Sequence, residues 1–255
     1  MTNERRLRLK EYIDSRGEAT TAELSALCGE CSAMTLWRDL QKLEADGAIR
    51  RTRGGAISMR LIQPDVEGLY SQRAMENTEA KRRIAEAAVK LIHTGSSVFF
   101  DAGSTVMGLA KRLPDAHFTI ITSGANIAIE LSQRRYCNVM CVGGQISANT
   151  LSFSGPQAES FLEGVNIDTA IMAPSGYSDA SGFTSGSFTE HQLKKRVMEK
   201  AAHVVMLMDV SKLNRSLPFT FATLKEVDTL IVDEPLPEES RRAAKAAGAE
   251  IIVAP

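Results

Sequence analysis

Apolar residues recur at helical spacing through the first fifty positions, then give way to short continuous apolar runs. Leu9, Tyr12 and Ile13 predict a helix over residues 4–15, stopped by Gly17. Thr20 and Glu23 have capping-box spacing ahead of Leu24 and Leu27, a short second helix ended by Gly29. Ser32 is a good N-cap for a third helix carrying Leu36, Leu40 and Leu43 at i, i+4 and i+7 before Gly47. Three short helices with a Gly-containing turn between the second and third form the helix-turn-helix pattern. With the leucines facing a core, Met34, Arg38 and Gln41 point away from it, and Thr35, Trp37 and Lys42 lie on the flanks. Residues 48–57 then read as a hairpin turning at Gly54-Gly55 and lined by Arg50, Arg51 and Arg53. A recognition helix beside an Arg-lined wing suits base edges on one side and phosphates on the other. Trp37 fits the edge of the core and a DNA surface equally well.

Periodicity fades past residue 58, where Pro64 and Gly68 appear. The expected organisation is a winged helix-turn-helix domain over residues 1–58, a linker over 59–76 and an α/β domain over 77–255. In the last of these, predicted helices alternate with apolar runs at 97–101, 118–122, 139–142, 204–208, 229–232 and 251–253, which implies a parallel, doubly covered sheet. The loops after the runs carry candidate chemistry. Asp101-Ala-Gly-Ser-Thr105 supplies Gly103, Ser104 and Thr105 at a strand exit. Thr122 opens a similar loop, Gly143-Gly144 gives a third, and Lys212 places a cation after a fourth. In an open α/β sheet such exits face one crevice, where glycines, hydroxyls and a lysine suit an anion. Glu190 and Lys194 have the spacing of a surface ion pair, and His191 is expected to face solvent.

Composition narrows the class. At 255 residues, 44% hydrophobic and 24% charged, the chain has the make-up of one or two ordinary globular domains. No apolar run approaches the ~18 residues of a membrane span, and the charged start has no secretory h-region. A cytoplasmic location is expected. Four cysteines form no disulfide framework, so Cys137 and Cys141 are expected as reduced core thiols. Cys28 and Cys31 form a lone C-x-x-C without further zinc ligands nearby, again expected as free thiols; no metal or cofactor is called for. The net charge of −1 divides into +2 over residues 1–60 and −3 over the remainder. Arg50, Arg51, Arg53 and Arg60 fall within eleven residues without an acid, so a polyanion would be held by a small directed patch.

The stretch Ser32-Ala-Met-Thr-Leu-Trp-Arg-Asp-Leu-Gln-Lys-Leu-Glu-Ala-Asp-Gly47, followed by Arg51-Thr-Arg-Gly-Gly-Ala56, resembles the signature of the DeoR-type bacterial repressor family. Trp37 stands where that family usually has Arg, and Arg53 where it has His. The second half is similar to the family's effector domain at Arg73, Asn77, Glu79, Lys81, Asp101 through Thr105, Thr122, Gly143-Gly144, Gly155, Gly182, Glu190, Lys194, Asp209, Ser211 and Lys212. Ser123 replaces the family's usual Asn. The resemblance implies a Rossmann-like α/β domain similar to ribose-5-phosphate isomerase and CoA transferases, sensing a phosphorylated sugar or sugar acid. It makes Asp101, Gly103, Ser104, Thr105, Thr122, Gly143, Gly144, Lys194 and Lys212 effector-site candidates, with Glu190 a weaker one. Ser32, Met34, Thr35, Trp37, Arg38, Gln41, Arg50, Arg51 and Arg53 become the candidate DNA-binding set. The expected protein is a homo-oligomeric, non-enzymatic repressor of a carbohydrate or sugar-acid catabolic operon. The alternative is a sugar-phosphate isomerase carrying a DNA-binding module, with Glu190 or Asp101 as base.

Overall fold

The computed structural model describes residues 2–29, 31–59 and 69–255, and the chain divides into two compact units, Met1–Gly68 and Leu69–Pro255. Arg60, Pro64 and Gly68, which carried the end of the basic run and the expected linker, lie outside the described residues.

The first unit runs α1 (Thr2–Arg16), β1 (Glu18–Thr20), α2 (Thr21–Cys28), α3 (Ala33–Ala45), β2 (Ile49–Thr52) and β3 (Gly55–Ser58). Both expected caps form: Thr20 and Glu23 make a reciprocal capping box, and the Ser32 hydroxyl accepts from Thr35 N at 3.2 Å. Leu9, Ile13, Leu24, Leu36, Leu40, Leu43, Ile49 and Ala56 bury against one another in a small core. Strand β1, too short and mixed to show as an apolar run, lies outside β3 in a sheet of order β1-β3-β2. That pairing explains Gly55, because a Cβ there would sit 2.0 Å from the Ala19 carbonyl oxygen. Asp39, buried on α3, accepts from Arg5 Nε at 2.6 Å and so joins α1 to the recognition helix.

Cys28 and Cys31 are disulfide-bonded, contrary to the expectation of free thiols. Cys28 ends α2 and Cys31 precedes the Ser32 cap, and their Cα atoms lie 5.7 Å apart, within disulfide reach. Cys137 and Cys141 are free, but Cys141 is exposed on an edge strand and not in the core.

The second unit contains α4 (Tyr70–Met75), inside the stretch expected as linker, α5 (Thr78–Ala88), β4 (Ser97–Phe100), α6 (Ser104–Ala110), β5 (Phe118–Thr122), α7 (Ala125–Leu131), β6 (Cys137–Cys141), β7 (Gln145–Ile146) and β8 (Phe153–Ser154). There follow α8 (Pro156–Phe161), β9 (Ile167–Met172), β10 (Gly176–Ser178), β11 (Gly182–Ser185), α9 (Phe188–Lys200), β12 (Ala201–Met208), β13 (Phe219–Ala222), β14 (Thr229–Val232), α10 (Glu238–Ala247) and β15 (Glu250–Val253). Seven strands form a parallel sheet of order β15-β14-β12-β9-β4-β5-β6. Alternate residues serve its two faces. Val98 and Phe100 join Ile84, Leu109 and Ile127 on one side, while Phe99 joins Leu193, Val197 and Ala244 on the other. The strand order runs outward from β4 in one direction and from β9 in the other. The switch point therefore lies between these two neighbours, where open α/β sheets bind ligands.

Candidate functional site

On α3 the buried leucines leave Met34, Trp37, Arg38 and Gln41 exposed along one ridge. The Arg38 side chain makes no hydrogen bond or ion pair among the described residues, and the same holds for the side chains of Arg50 and Arg53 on the hairpin. Ser32 and Thr35 are occupied locally, their hydroxyls 2.9 Å apart at the helix start. Arg51 is engaged as well. Its backbone N donates to Glu44 Oε1 at 2.9 Å, its Nε to Oε2 at 2.6 Å, and its guanidinium lies 5.3 Å from the Trp37 ring centroid. These bonds, the backbone one first, hold the Glu44 carboxyl below its ordinary value. The wing arginine expected on phosphate is thus also a strut between the end of α3 and the indole.

At the carboxyl edge of the sheet, Asp101 leaves β4 directly at the switch point. Its Oδ1 accepts from Ala102 N at 2.9 Å; its Oδ2 accepts from Ala173 N, past the end of β9, at 3.1 Å and from Lys194 Nζ. Lys194 also donates to the Ala173 carbonyl at 3.0 Å and lies over the Phe221 ring. Both side chains of this ion pair are less than a tenth exposed. The Glu190–Lys194 surface pair expected from spacing is therefore corrected. The two do share a face of α9, but that face is buried, and each finds a distant partner instead. Glu190 accepts from the Thr150 hydroxyl at 2.6 Å and from Ser152. His191 is also corrected: it is half-buried, stacked on Phe188 at 5.8 Å, and burial lowers its pKa.

The Thr122 hydroxyl is buried and used by the turn, donating to Phe100 O at 2.7 Å and accepting from Gly124 N at 2.9 Å. Ser123 Oγ accepts from Ala102 N, tying the β5 exit to the β4 exit. Gly144 has φ +93°, and a Cβ there would meet the Ser154 carbonyl at 2.5 Å, so only glycine lets the two loops touch. Gly143 lies beside it, also at positive φ. Gly103 precedes α6, whose first residues are the partly exposed Ser104 and the buried Thr105.

Lys212 sits further along the same edge, beyond β12, and no hydrogen bond or ion pair joins it to Asp101 or Lys194 among the described residues. Its neighbour Asp209 accepts from Asn77 Nδ2 at 3.0 Å and from Ser211. Burial lowers the pKa of Lys212, and the Asp209 charge partly restores it. Close by, Lys81 donates to the carbonyls of Arg73 and Glu76 at the end of α4; burial brings it down to about 8, against the pull of Asp209. Asn77, Lys81 and Asp209 are absent from the expected effector set; only their resemblance to family positions marked them. Among the described residues no helix is long and apolar enough to cross a membrane, and no group of three or more His, Cys, Asp or Glu could hold a metal.

A capped recognition helix and Arg-bearing wing, followed by a parallel α/β domain with buried charges at its switch point, define a DNA-binding regulator with a sensor domain. Residues 5–60 match the DeoR-like helix-turn-helix domain, and residues 76–234 match the DeoR C terminal sensor domain. The HTH-type transcriptional regulator GlpR of Haloferax volcanii is 36% identical over 250 residues, which cover 98% of this chain and 96% of the relative. The putative aga operon transcriptional repressor of Escherichia coli O157:H7 is 32% identical, covering 99% and 94%. Among solved structures, ribose 5-phosphate isomerase A from Methanocaldococcus jannaschii is similar at 19% identity and a TM-score of 0.42, covering 55% of this chain and 56% of that one. The chain belongs to the DeoR family of transcriptional regulators. It is a DNA-binding transcriptional regulator.

Proposed function

We propose that this regulator represses a carbohydrate or sugar-acid catabolic operon, and that a phosphorylated sugar or sugar acid bound at the carboxyl edge of its sheet changes its operator affinity. The observation that carries the proposal is the buried Asp101–Lys194 pair at the switch point, tied to Ala173 across β4 and β9. A built-in charge pair at that place can orient hydroxyls of a small polar ligand. Lys212, bonded to no described side chain, supplies a cation for its anionic end. A relative named as an L-fucose operon activator, 28% identical, supports a carbohydrate operon as target. A symmetric dimer presenting two α3 helices to two half-sites suits a module this small, and a cytoplasmic site of action goes with it.

The test is a thermal-shift panel of sugar phosphates and sugar acids, followed by operator titrations of Lys212→Ala and Ser104→Ala. A ligand at 100 times its dissociation constant adds ~2.7 kcal/mol of stability. Both variants are expected to keep operator binding and to lose the response to ligand. Wild-type responses in both would move the effector site elsewhere.

A further inference from the structure

The exposed ridge of α3 is unusual for a surface that meets a polyanion, because half of it is apolar. Met34 is 59% exposed and Trp37 49%, and as i, i+3 neighbours they form one continuous patch beside Arg38. The indole is held in place: the Arg51 guanidinium lies against the ring and is fixed in turn by the Glu44 carboxylate at 2.6 Å. A large apolar platform braced in this way loses little freedom on contact. Neither side chain offers the paired donors or acceptors that read guanine or adenine edges. The one apolar group that a base pair shows in the major groove is the 5-methyl of thymine.

We infer that Met34 and Trp37 read thymine by packing on its 5-methyl group, while Arg38 and Gln41 supply the polar contacts of the same half-site. This rests on the DNA-binding reading above and names the base chemistry that the α3 ridge selects. Trp37 touches the base in this account, and Arg51 and Glu44 are positioning residues behind it. The occupant is committed by the surroundings. The patch lies within the stretch that matches a DNA-binding domain, and the exposed cations Arg38, Arg50 and Arg53 share that stretch.

Deoxyuridine isolates the methyl group, since it keeps every hydrogen-bonding atom of thymine. Duplexes enriched from a random-sequence pool by the full-length chain would be remade with each thymine replaced in turn by deoxyuridine. At one or two positions per half-site the wild type is expected to lose about four-fold in affinity for each methyl removed. The Met34→Ala and Trp37→Ala variants should bind the thymine and deoxyuridine duplexes alike at those positions. Met34→Leu, which keeps the apolar surface, should retain the preference. Glu44→Gln, which loosens the brace, should blunt the preference while leaving the identity of the selected polar positions unchanged. Equal binding of thymine and deoxyuridine duplexes by the wild type, with enrichment intact, would overturn the inference and leave the DNA-binding reading standing. Failure of the chain to enrich any sequence would overturn both.

Discussion

The two units handle charge in opposite ways. In the first, the side chains of Arg38, Arg50 and Arg53 are exposed and form no hydrogen bond or ion pair with a described residue, which on the proposed reading leaves them available to DNA. In the second, Asp101 and Lys194 are buried and answer each other across 93 residues of sequence. An exposed cation is well solvated and exchanges counterions for phosphates on contact, which suits a long polyanion. A buried pair is costly to desolvate and needs good geometry, which suits a small crevice whose shape must be held before a ligand arrives. Arg51 is intermediate, a wing arginine partly turned inward by Glu44.

The contrast predicts where substitutions act. Removing one member of the buried pair, as in Lys194→Met, leaves an uncompensated carboxylate and is expected to cost about 3–5 kcal/mol of stability. Urea unfolding measures this, and a loss below about 1 kcal/mol would deny the pair its structural weight. Arg38→Ala should leave unfolding unchanged and remove about 1–3 kcal/mol of operator affinity, with relaxed preference at one base pair. By contrast, Arg53→Ala should weaken all sequences alike and reduce the salt slope by about one. Competition binding at several salt concentrations separates the two.

A further effect is electrostatic. Burial lowers Lys81 to about 8, so the folded state resists its protonation while an unfolded chain does not. Stability contributed by this group is therefore constant below that pH and rises as pH passes from about 8 towards the ordinary lysine value of 10.5. In the NMR spectrum of the reductively methylated protein, a lysine resonance titrating near 8 should disappear in Lys81→Arg. Its persistence in that variant would assign the shift elsewhere.

Much of the first unit was legible because its signals are local. The capping pairs span three residues, and the leucine face of α3 repeats within two turns. The parallel sheet was legible strand by strand where runs were short, uncharged and mostly apolar, as at Phe118–Thr122 and Thr229–Val232. Its central strand β9 was not, because Asp168 and Thr169 interrupt the apolar pattern. Asp168 is polar for a reason that sequence conceals: it accepts from both the backbone N and the hydroxyl of Ser97 on the neighbouring strand. The antiparallel strands β10, β11 and β13 are short and rich in Gly, Ser and Thr, and are joined by the buried ring contacts Tyr177–Phe183 and Phe183–Phe221, which sequence does not show. In the same way, the spacing of Glu190 and Lys194 gives their shared helix face but not its direction, which only the sheet beneath α9 decides.

If effector binding at the crevice governs operator binding, as proposed, the two events are thermodynamically linked and each must report the other. With the sugar phosphate or sugar acid found in the thermal-shift panel, ligand affinity would be measured by calorimetry with and without the selected operator duplex. Operator affinity would be measured with and without ligand. Both affinities are expected to change by the same factor, typically five- to 150-fold for a regulatory coupling. A ligand that binds tightly and equally to free and operator-bound protein, with operator affinity unmoved, would contradict it.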